Sequence, residues 1–92
     1  MIRHIVMIKL KNFSSKEVKI TNAKKLKSEL ENLENKIDEI KYYEVGLNLS
    51  TSPSAYDVVL VSDFNNMKEL NDYRIHPEHI KVLDFLKSII PN

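Results

Sequence analysis

The stretch from Tyr56 to Phe64 constrains the fold more than any other part of this chain. Its residues alternate as in a strand, yet both faces carry apolar side chains: Tyr56, Val58, Leu60 and Phe64 on one, Val59 and Val61 on the other. A strand that is apolar on both sides lies within a sheet that is covered on both faces. The fold must therefore provide cover for two faces of one sheet.

Two further stretches predict strands. Residues 2–11 alternate, and Ile5 and Met7 make the second face of this strand partly apolar as well. Residues 40–49 alternate in the same way. Gly46, the single glycine of the chain, lies inside this strand and indicates a bulge or a close backbone approach.

Three helices are predicted from their start signals. A Ser or Asn followed three residues later by Glu is a capping-box signature, and it occurs at Ser14 and at Asn66. We expect these helices to run to about residue 36 and through residue 75. Pro77 is tolerated in the first turn of a helix but not inside one, so it starts a third helix to about residue 90, with His76 near the N-cap.

The order strand, helix, strand, strand, helix, helix predicts an α+β fold. Three helical segments suffice to cover one face of a small sheet. Nothing is left for the opposite face, and leaving it exposed would create a larger apolar patch than a monomer normally tolerates. We therefore expect a homodimer in which the sheets of two copies face each other.

Size and composition exclude several classes of protein. The chain has 92 residues, enough for one domain, and lacks Cys, so neither disulfides nor a thiolate zinc site are expected. The net charge of +1 comes from 14 basic and 13 acidic residues, which argues against a nucleic-acid partner. No apolar run is long enough for a signal peptide or a membrane span, which predicts a cytoplasmic protein.

The segment from Tyr73 to His79 is the best candidate for chemistry. Counting along the third helix places His79 on its apolar face, with Leu83, Leu86 and Ile90. Tyr73 is expected to face inward with Met67 and Leu70. A histidine and a tyrosine that point into an apolar space are candidates for acid–base work.

Four segments resemble the stress-responsive dimeric α/β-barrel (Dabb) family, and together they span nearly the whole chain. They are residues 4–11, 45–48, 56–64 and 70–79; the most specific is the Tyr-x-x-His-Pro-x-His element of residues 73–79. The resemblance implies a ferredoxin-like fold whose antiparallel sheet has helices on one face. It also implies that two such sheets face each other in a dimer.

The chain departs from the family pattern at its end. Family members usually continue after the last helix into a final strand that often ends in an Asp-Tyr pair, whereas this sequence stops at residues 89–92. We expect a single domain over residues 1–92 without the usual C-terminal strand. The sequence therefore does not predict whether the barrel closes.

The resemblance also implies roles for two residues. In polyketide-cyclising relatives from plants, the tyrosine and the second histidine of this element carry the reaction, which places catalysis on Tyr73 and His79. The alternative is that both are core residues satisfied by backbone or water. His4 either joins His79 in a ligand-binding cluster or bonds to a neighbouring strand. No metal is expected, because the acidic residues are scattered and His76 and His79 are only three residues apart.

Two functions compete at this point. The first is a homodimeric stress-responsive α/β-barrel protein with a cavity for a small molecule, without a defined cellular role. The second is an acid–base enzyme acting on a carbonyl or polyketide-like substrate through Tyr73 and His79. A third function, the oxidation of haem or quinol, has less support, because the sequence shows no ligand set for it. We expect no cofactor.

Overall fold

The computed structural model describes residues 1–48 and 55–91. In these ranges the chain forms the predicted order of elements: β1 (Ile2–Ile8), α1 (Lys16–Leu33), β2 (Tyr42–Leu47), β3 (Val58–Phe64), α2 (Met67–Arg74) and α3 (Pro77–Lys87). The three strands form one antiparallel sheet in the order β1-β3-β2. The strand that is apolar on both faces is therefore the central one, hydrogen-bonded on both sides.

The helices cover one face of the sheet and leave the other open. On the covered face, Val58, Leu60 and Phe64 of β3 pack with Val45 of β2 and Ile8 of β1 in the hydrophobic core. The opposite face, which we call the open face, carries the alternate residues of all three strands. Among them Ile5 is 58% and Met7 56% exposed, and Val59 and Val61 are half-buried.

A buried carboxylate fixes the chain where β1 ends. Asp57 accepts a hydrogen bond from the backbone N–H of Leu10 at 2.8 Å, and its other oxygen lies 3.3 Å from the ammonium of Lys19. Asp63 forms a bidentate ion pair with Arg3, in which Nε and Nη2 of the guanidinium donate to the two carboxylate oxygens at 2.8 and 3.0 Å. Both aspartates are buried although they lie near the ends of the strand, because each is bonded to a specific partner.

Several predicted boundaries shift by a few residues. β1 stops at Ile8 rather than residue 11, since the N–H of Leu10 turns to Asp57 and that of Lys11 to the carbonyl of Ile89. The N-cap of α1 is Ser15 and not Ser14, because the hydroxyl of Ser15 accepts from the N–H of Val18. The helix ends at residue 33 rather than 36, and α3 at residue 87 rather than 90.

Other expectations about single side chains also change. Tyr56 precedes β3 and is 45% exposed, and Met67 is 50% exposed instead of facing inward with Tyr73. Gly46 pairs with Val59 in an unbroken register, so no bulge occurs there. A Cβ at Gly46 would meet nothing within 4 Å. Residue 49, expected in the second strand, lies outside the described residues.

Candidate functional site

A cavity of about 180 Å³ lies between the covered face of the sheet and the helices. Its walls are aliphatic side chains from β1, β3, α1 and α3, among them Val6, Leu26, Leu30, Leu60 and Leu86. Four side chains with polar groups also line it: His4, Tyr73, Arg74 and His79. All three residues predicted to form the site therefore meet at one cavity, together with Arg74, which the sequence analysis had not singled out.

The junction between α2 and α3 sets the position of His79. α2 ends at Ile75, and Pro77 occupies the first turn of α3. His76 is the N-cap, as predicted, and its Nδ1 accepts a hydrogen bond from the backbone N–H of Glu78 at 3.1 Å. The cap directs the first turn of α3 so that His79 faces the cavity rather than solvent.

The imidazole of His79 has a defined tautomer. Its Nδ1 lies 3.0 Å from the backbone carbonyl of Arg74. A carbonyl only accepts hydrogen bonds, so Nδ1 carries the proton and Nε2 of the neutral ring is an acceptor. Burial lowers the pKa of His79, opposed by the bond to the Arg74 carbonyl and reinforced by the charge of Arg74. The ring is therefore a neutral base at pH 7.

His4 contributes a second neutral imidazole. It lies on the helix-facing side of β1, and its Nδ1 is buried without a hydrogen-bond partner among residues 1–48 and 55–91. Burial lowers the pKa of His4, and the charges of Arg74 and His79 act in the same direction. Of the two alternatives left open by the sequence, the structure favours the first: His4 shares the cavity of His79.

Tyr73 presents its ring to His79 and its hydroxyl to another tyrosine. The ring centroids of Tyr73 and His79 are 4.3 Å apart, and that of Phe64 is 4.9 Å from Tyr73. The hydroxyls of Tyr73 and Tyr43 are 2.7 Å apart and buried. Burial raises the pKa of both phenols, so both are neutral at pH 7 and one donates to the other.

The sequence analysis did not identify Tyr43 as part of the site, although its hydroxyl pairs with that of Tyr73. The signal was present, because Tyr43 alternates with Val45 on the inward face of β2, where a phenol needs a hydrogen-bond partner. Without a register for the sheet, its pairing with Tyr73 could not be assigned.

Outside this cavity, one buried side-chain atom of the described residues, Oε2 of Glu69, has no hydrogen-bond partner. A depression between α1 and α3 is lined by Glu29, Lys36, Glu78 and Lys81, and both lysines pair with Glu78. Within the described ranges, no group of three or more His, Asp or Glu residues is arranged to hold a metal ion. No described helix is long and apolar enough to cross a membrane.

An α+β sandwich of one sheet and one helical layer, with a polar-edged cavity between them, defines the class of the protein. The particular family is given by the sequence: the model of the stress-responsive A/B barrel domain (Dabb) matches residues 2–92, and the chain belongs to this family. Its fold is ferredoxin-like, as predicted.

Solved structures agree with this assignment. A dimeric protein of unknown function with a ferredoxin-like fold from Bacteroides fragilis is 31% identical, with a TM-score of 0.85, and the match covers 98% of this chain and 86% of that one. A Dabb family protein from Mesorhizobium loti is 22% identical over 98% of this chain and 86% of its own, with a TM-score of 0.62.

One structure of similar fold is a named enzyme. A hydroxynitrile lyase from Passiflora edulis has a TM-score of 0.76 at 17% identity, and the match covers 98% of this chain and 83% of that one. At this identity the likeness concerns the fold alone. A comparison with curated proteins gives no significant match.

The hydrogen bond between the hydroxyls of Tyr43 and Tyr73 leads to a prediction about stability. Tyr43→Phe or Tyr73→Phe leaves one buried hydroxyl without its partner, which costs about 1–3 kcal/mol of unfolding free energy. Removing both hydroxyls leaves no unpaired group, so the double variant should lose clearly less than the sum of the single losses. Denaturant unfolding at one protein concentration measures this, with Tyr56→Phe, an exposed tyrosine, as the control. Strictly additive losses would show that the hydroxyls do not pair.

Proposed function

We propose that the chain is a homodimer that binds a small, largely apolar molecule in the cavity beneath its helices, with His4, Tyr73 and His79 contacting the ligand. The observation that carries this proposal is the buried Nδ1 of His4, which has no partner in the described part of the chain although it lies in the same cavity as the neutral His79. The proposal treats residues 1–92 as one domain of a cytoplasmic protein.

The unpartnered nitrogen favours a ligand over a merely structural role. Buried polar groups in native proteins nearly always have hydrogen-bond partners, which are protein groups, ordered water or a ligand. The cavity of about 180 Å³ exceeds the roughly 150 Å³ of an apolar cavity that accommodates benzene. Apolar walls with a few convergent polar groups are typical of small-molecule sites. A single-ring compound with one hydrogen-bonding substituent fits this description.

The open face supports self-association. Ile5 lies beside Val61 and Met7 beside Val59 in the register of β1 and β3, which makes one continuous apolar patch. Gly46 extends it with a flat position over which a second sheet can approach closely. The charges of Arg3 and Asp63 at the border of the patch already neutralise each other. Glu44 lies beside Val61, and its carboxylate accepts a hydrogen bond from the hydroxyl of Tyr42. The Bacteroides fragilis relative is described as dimeric.

A second candidate function is acid–base catalysis on a carbonyl compound. It is favoured by the tautomer of His79, whose Nε2 is a free acceptor with a lowered pKa, as a general base near pH 7 requires. In this reading Tyr73 orients the substrate, and its hydroxyl is itself held by Tyr43. The hydroxynitrile lyase of similar fold is an enzyme by name, which motivates assays with carbonyl compounds.

The dimer is tested with a charge on the open face. Val59→Lys, whose neighbours across the sheet are Met7 and Gly46, would bury an unpaired ammonium between the two sheets, which costs about 3–5 kcal/mol, and should shift the protein to monomers. Sedimentation equilibrium at micromolar concentration should report twice the chain mass for the parent and a single chain mass for the variant.

The matched control for this experiment is Val18→Lys. Val18 is an exposed valine on α1, away from the open face, and its replacement should leave the dimer intact. A Val59→Lys variant that dimerises as tightly as the parent would mean that the open face is not the interface. A parent protein that is a stable monomer would contradict the dimer itself.

The ligand proposal is tested by NMR of the imidazoles. Titration with small β-keto and resorcylic compounds should shift the ring signals of His4 and His79 together, because both line the cavity. His76 serves as an internal control, since its Nδ1 caps α3 and it does not line the cavity. If all three rings, or none, respond to every compound, specific binding in this cavity is ruled out.

The same titration separates binding from catalysis. His79→Gln retains a side chain that can donate to the Arg74 carbonyl, so the fold should survive. If the protein is an enzyme, product formation should fall at least about 100-fold in this variant, the scale of a lost general base. Binding without turnover in the parent protein would leave the first function and exclude catalysis on the compounds tested.

A further inference from the structure

We propose that the cavity selects an uncharged molecule with a single ring and rejects charged ligands of either sign. This inference rests on the proposed ligand-binding function and names the chemical class of the ligand. It starts from the cavity wall, whose surface belongs almost entirely to carbon atoms.

The wall of the cavity is built mainly from aliphatic side chains. Leu26 and Leu30 of α1 and Leu60 of β3 line it and are buried. The lining residues include no Asp, Glu or Lys. A charged group placed against such a wall loses its water and gains no partner, which costs far more than the burial of a neutral group.

Two of the lining residues with polar groups use those groups within the protein. The hydroxyl of Tyr73 is 2.7 Å from the hydroxyl of Tyr43, and both are buried. Nδ1 of His79 donates to the backbone carbonyl of Arg74 at 3.0 Å. The ring of Tyr73 packs against that of His79, with their centroids 4.3 Å apart. Neither side chain offers a charge that could balance an ionic ligand.

Arg74, the one lining residue with a permanent charge, directs that charge to solvent. Its guanidinium donates from Nη1 to the side-chain oxygen of Asn71 at 3.2 Å, and both residues are exposed. An arginine can cover apolar surface with its aliphatic stem while its charged end stays in water. The guanidinium of Arg74 therefore belongs to the solvated surface of α2, where salt screens its charge.

The two histidines at the cavity are uncharged. Burial lowers the pKa of both His4 and His79, and the charge of Arg74 acts in the same direction. Nδ1 of His4 is buried without a partner among the described residues. A neutral imidazole can exchange a hydrogen bond with a hydroxyl, but it supplies no counter-charge to a carboxylate or an ammonium. A neutral ligand is thus the one that every part of this wall accepts.

The test compares three single-ring probes of nearly the same shape at pH 7.5: benzyl alcohol, which is uncharged, benzoate and benzylammonium. Isothermal titration calorimetry should show that benzyl alcohol binds at least about tenfold more tightly than either ion, because each ion would lose its hydration against the apolar wall. Benzyl alcohol should also shift the methyl NMR signals of Leu26, Leu30 and Leu60. The methyl signals of Val18 and Val59, which do not line the cavity, should not move.

A variant with a filled cavity locates the binding site. Val6 is a half-buried residue of β1 that lines the cavity, and Val6→Phe should abolish the binding of benzyl alcohol, because the added ring occupies the space of the probe. The matched control is Val18→Phe, the same change at an exposed position of α1, which should leave the affinity unchanged. Circular dichroism checks that each variant is folded, and the methyl shifts of the parent protein locate the probe even if Val6→Phe does not fold.

The outcomes separate this inference from the proposed function. If benzoate or benzylammonium shifts the leucine methyl signals and binds as tightly as benzyl alcohol, the assignment of a neutral ligand is overturned and the ligand-binding cavity stands. If benzyl alcohol binds without shifting these signals, or binds equally well to a folded Val6→Phe variant, the cavity is not its site and the inference is wrong. If no probe binds and no compound shifts His4 and His79, both proposals fail together.

Discussion

The structure depends on β3, a strand that is hydrogen-bonded on both edges and apolar on both faces. Its position between β1 and β2 fixes the register of the sheet, and the register decides which side chains of β1 face the helices. His4 and Val6 face the covered side and line the cavity, whereas Ile5 and Met7 face the open side. The two faces of this strand therefore belong to two different surfaces. The covered face borders the cavity that we propose to bind a ligand, and the open face is the surface that we propose to bind a second copy of the chain.

The second determinant is the junction between α2 and α3. Pro77 cannot continue α2, and His76 caps the next helix, so the chain turns within a few residues. The turn brings the carbonyl of Arg74 to Nδ1 of His79. The junction therefore fixes the tautomer of an imidazole that lines the cavity.

Much of this could be predicted from the sequence, for physical reasons. The alternation of β3 and the start signals at Asn66 and Pro77 are local, and they correctly predicted the elements and the inward-facing position of His79 on α3. The N-cap of α1 was placed one residue early, at Ser14, because two adjacent serines both satisfy the pattern and only the bond to Val18 distinguishes Ser15.

What could not be predicted depends on contacts between distant parts of the chain. The pairing of Tyr43 with Tyr73 and the bond of Asp57 to Leu10 join residues 30 and 47 positions apart. No local pattern encodes them. Arg74 was overlooked for a related reason: it is an exposed residue near the end of a short polar helix, and only the tertiary fold brings that part of α2 to the cavity.

The account rests on a neutral His79 whose Nε2 is an acceptor at the cavity. A long-range ¹H–¹⁵N correlation spectrum of the imidazoles at pH 7.5 tests this most directly, since it distinguishes a protonated from an unprotonated ring nitrogen. We expect Nδ1 of His79 to be protonated and Nε2 to be unprotonated. A ring protonated at Nε2 alone would contradict the bond to the Arg74 carbonyl, and a ring protonated at both nitrogens at this pH would contradict the role of a neutral base that we propose for His79.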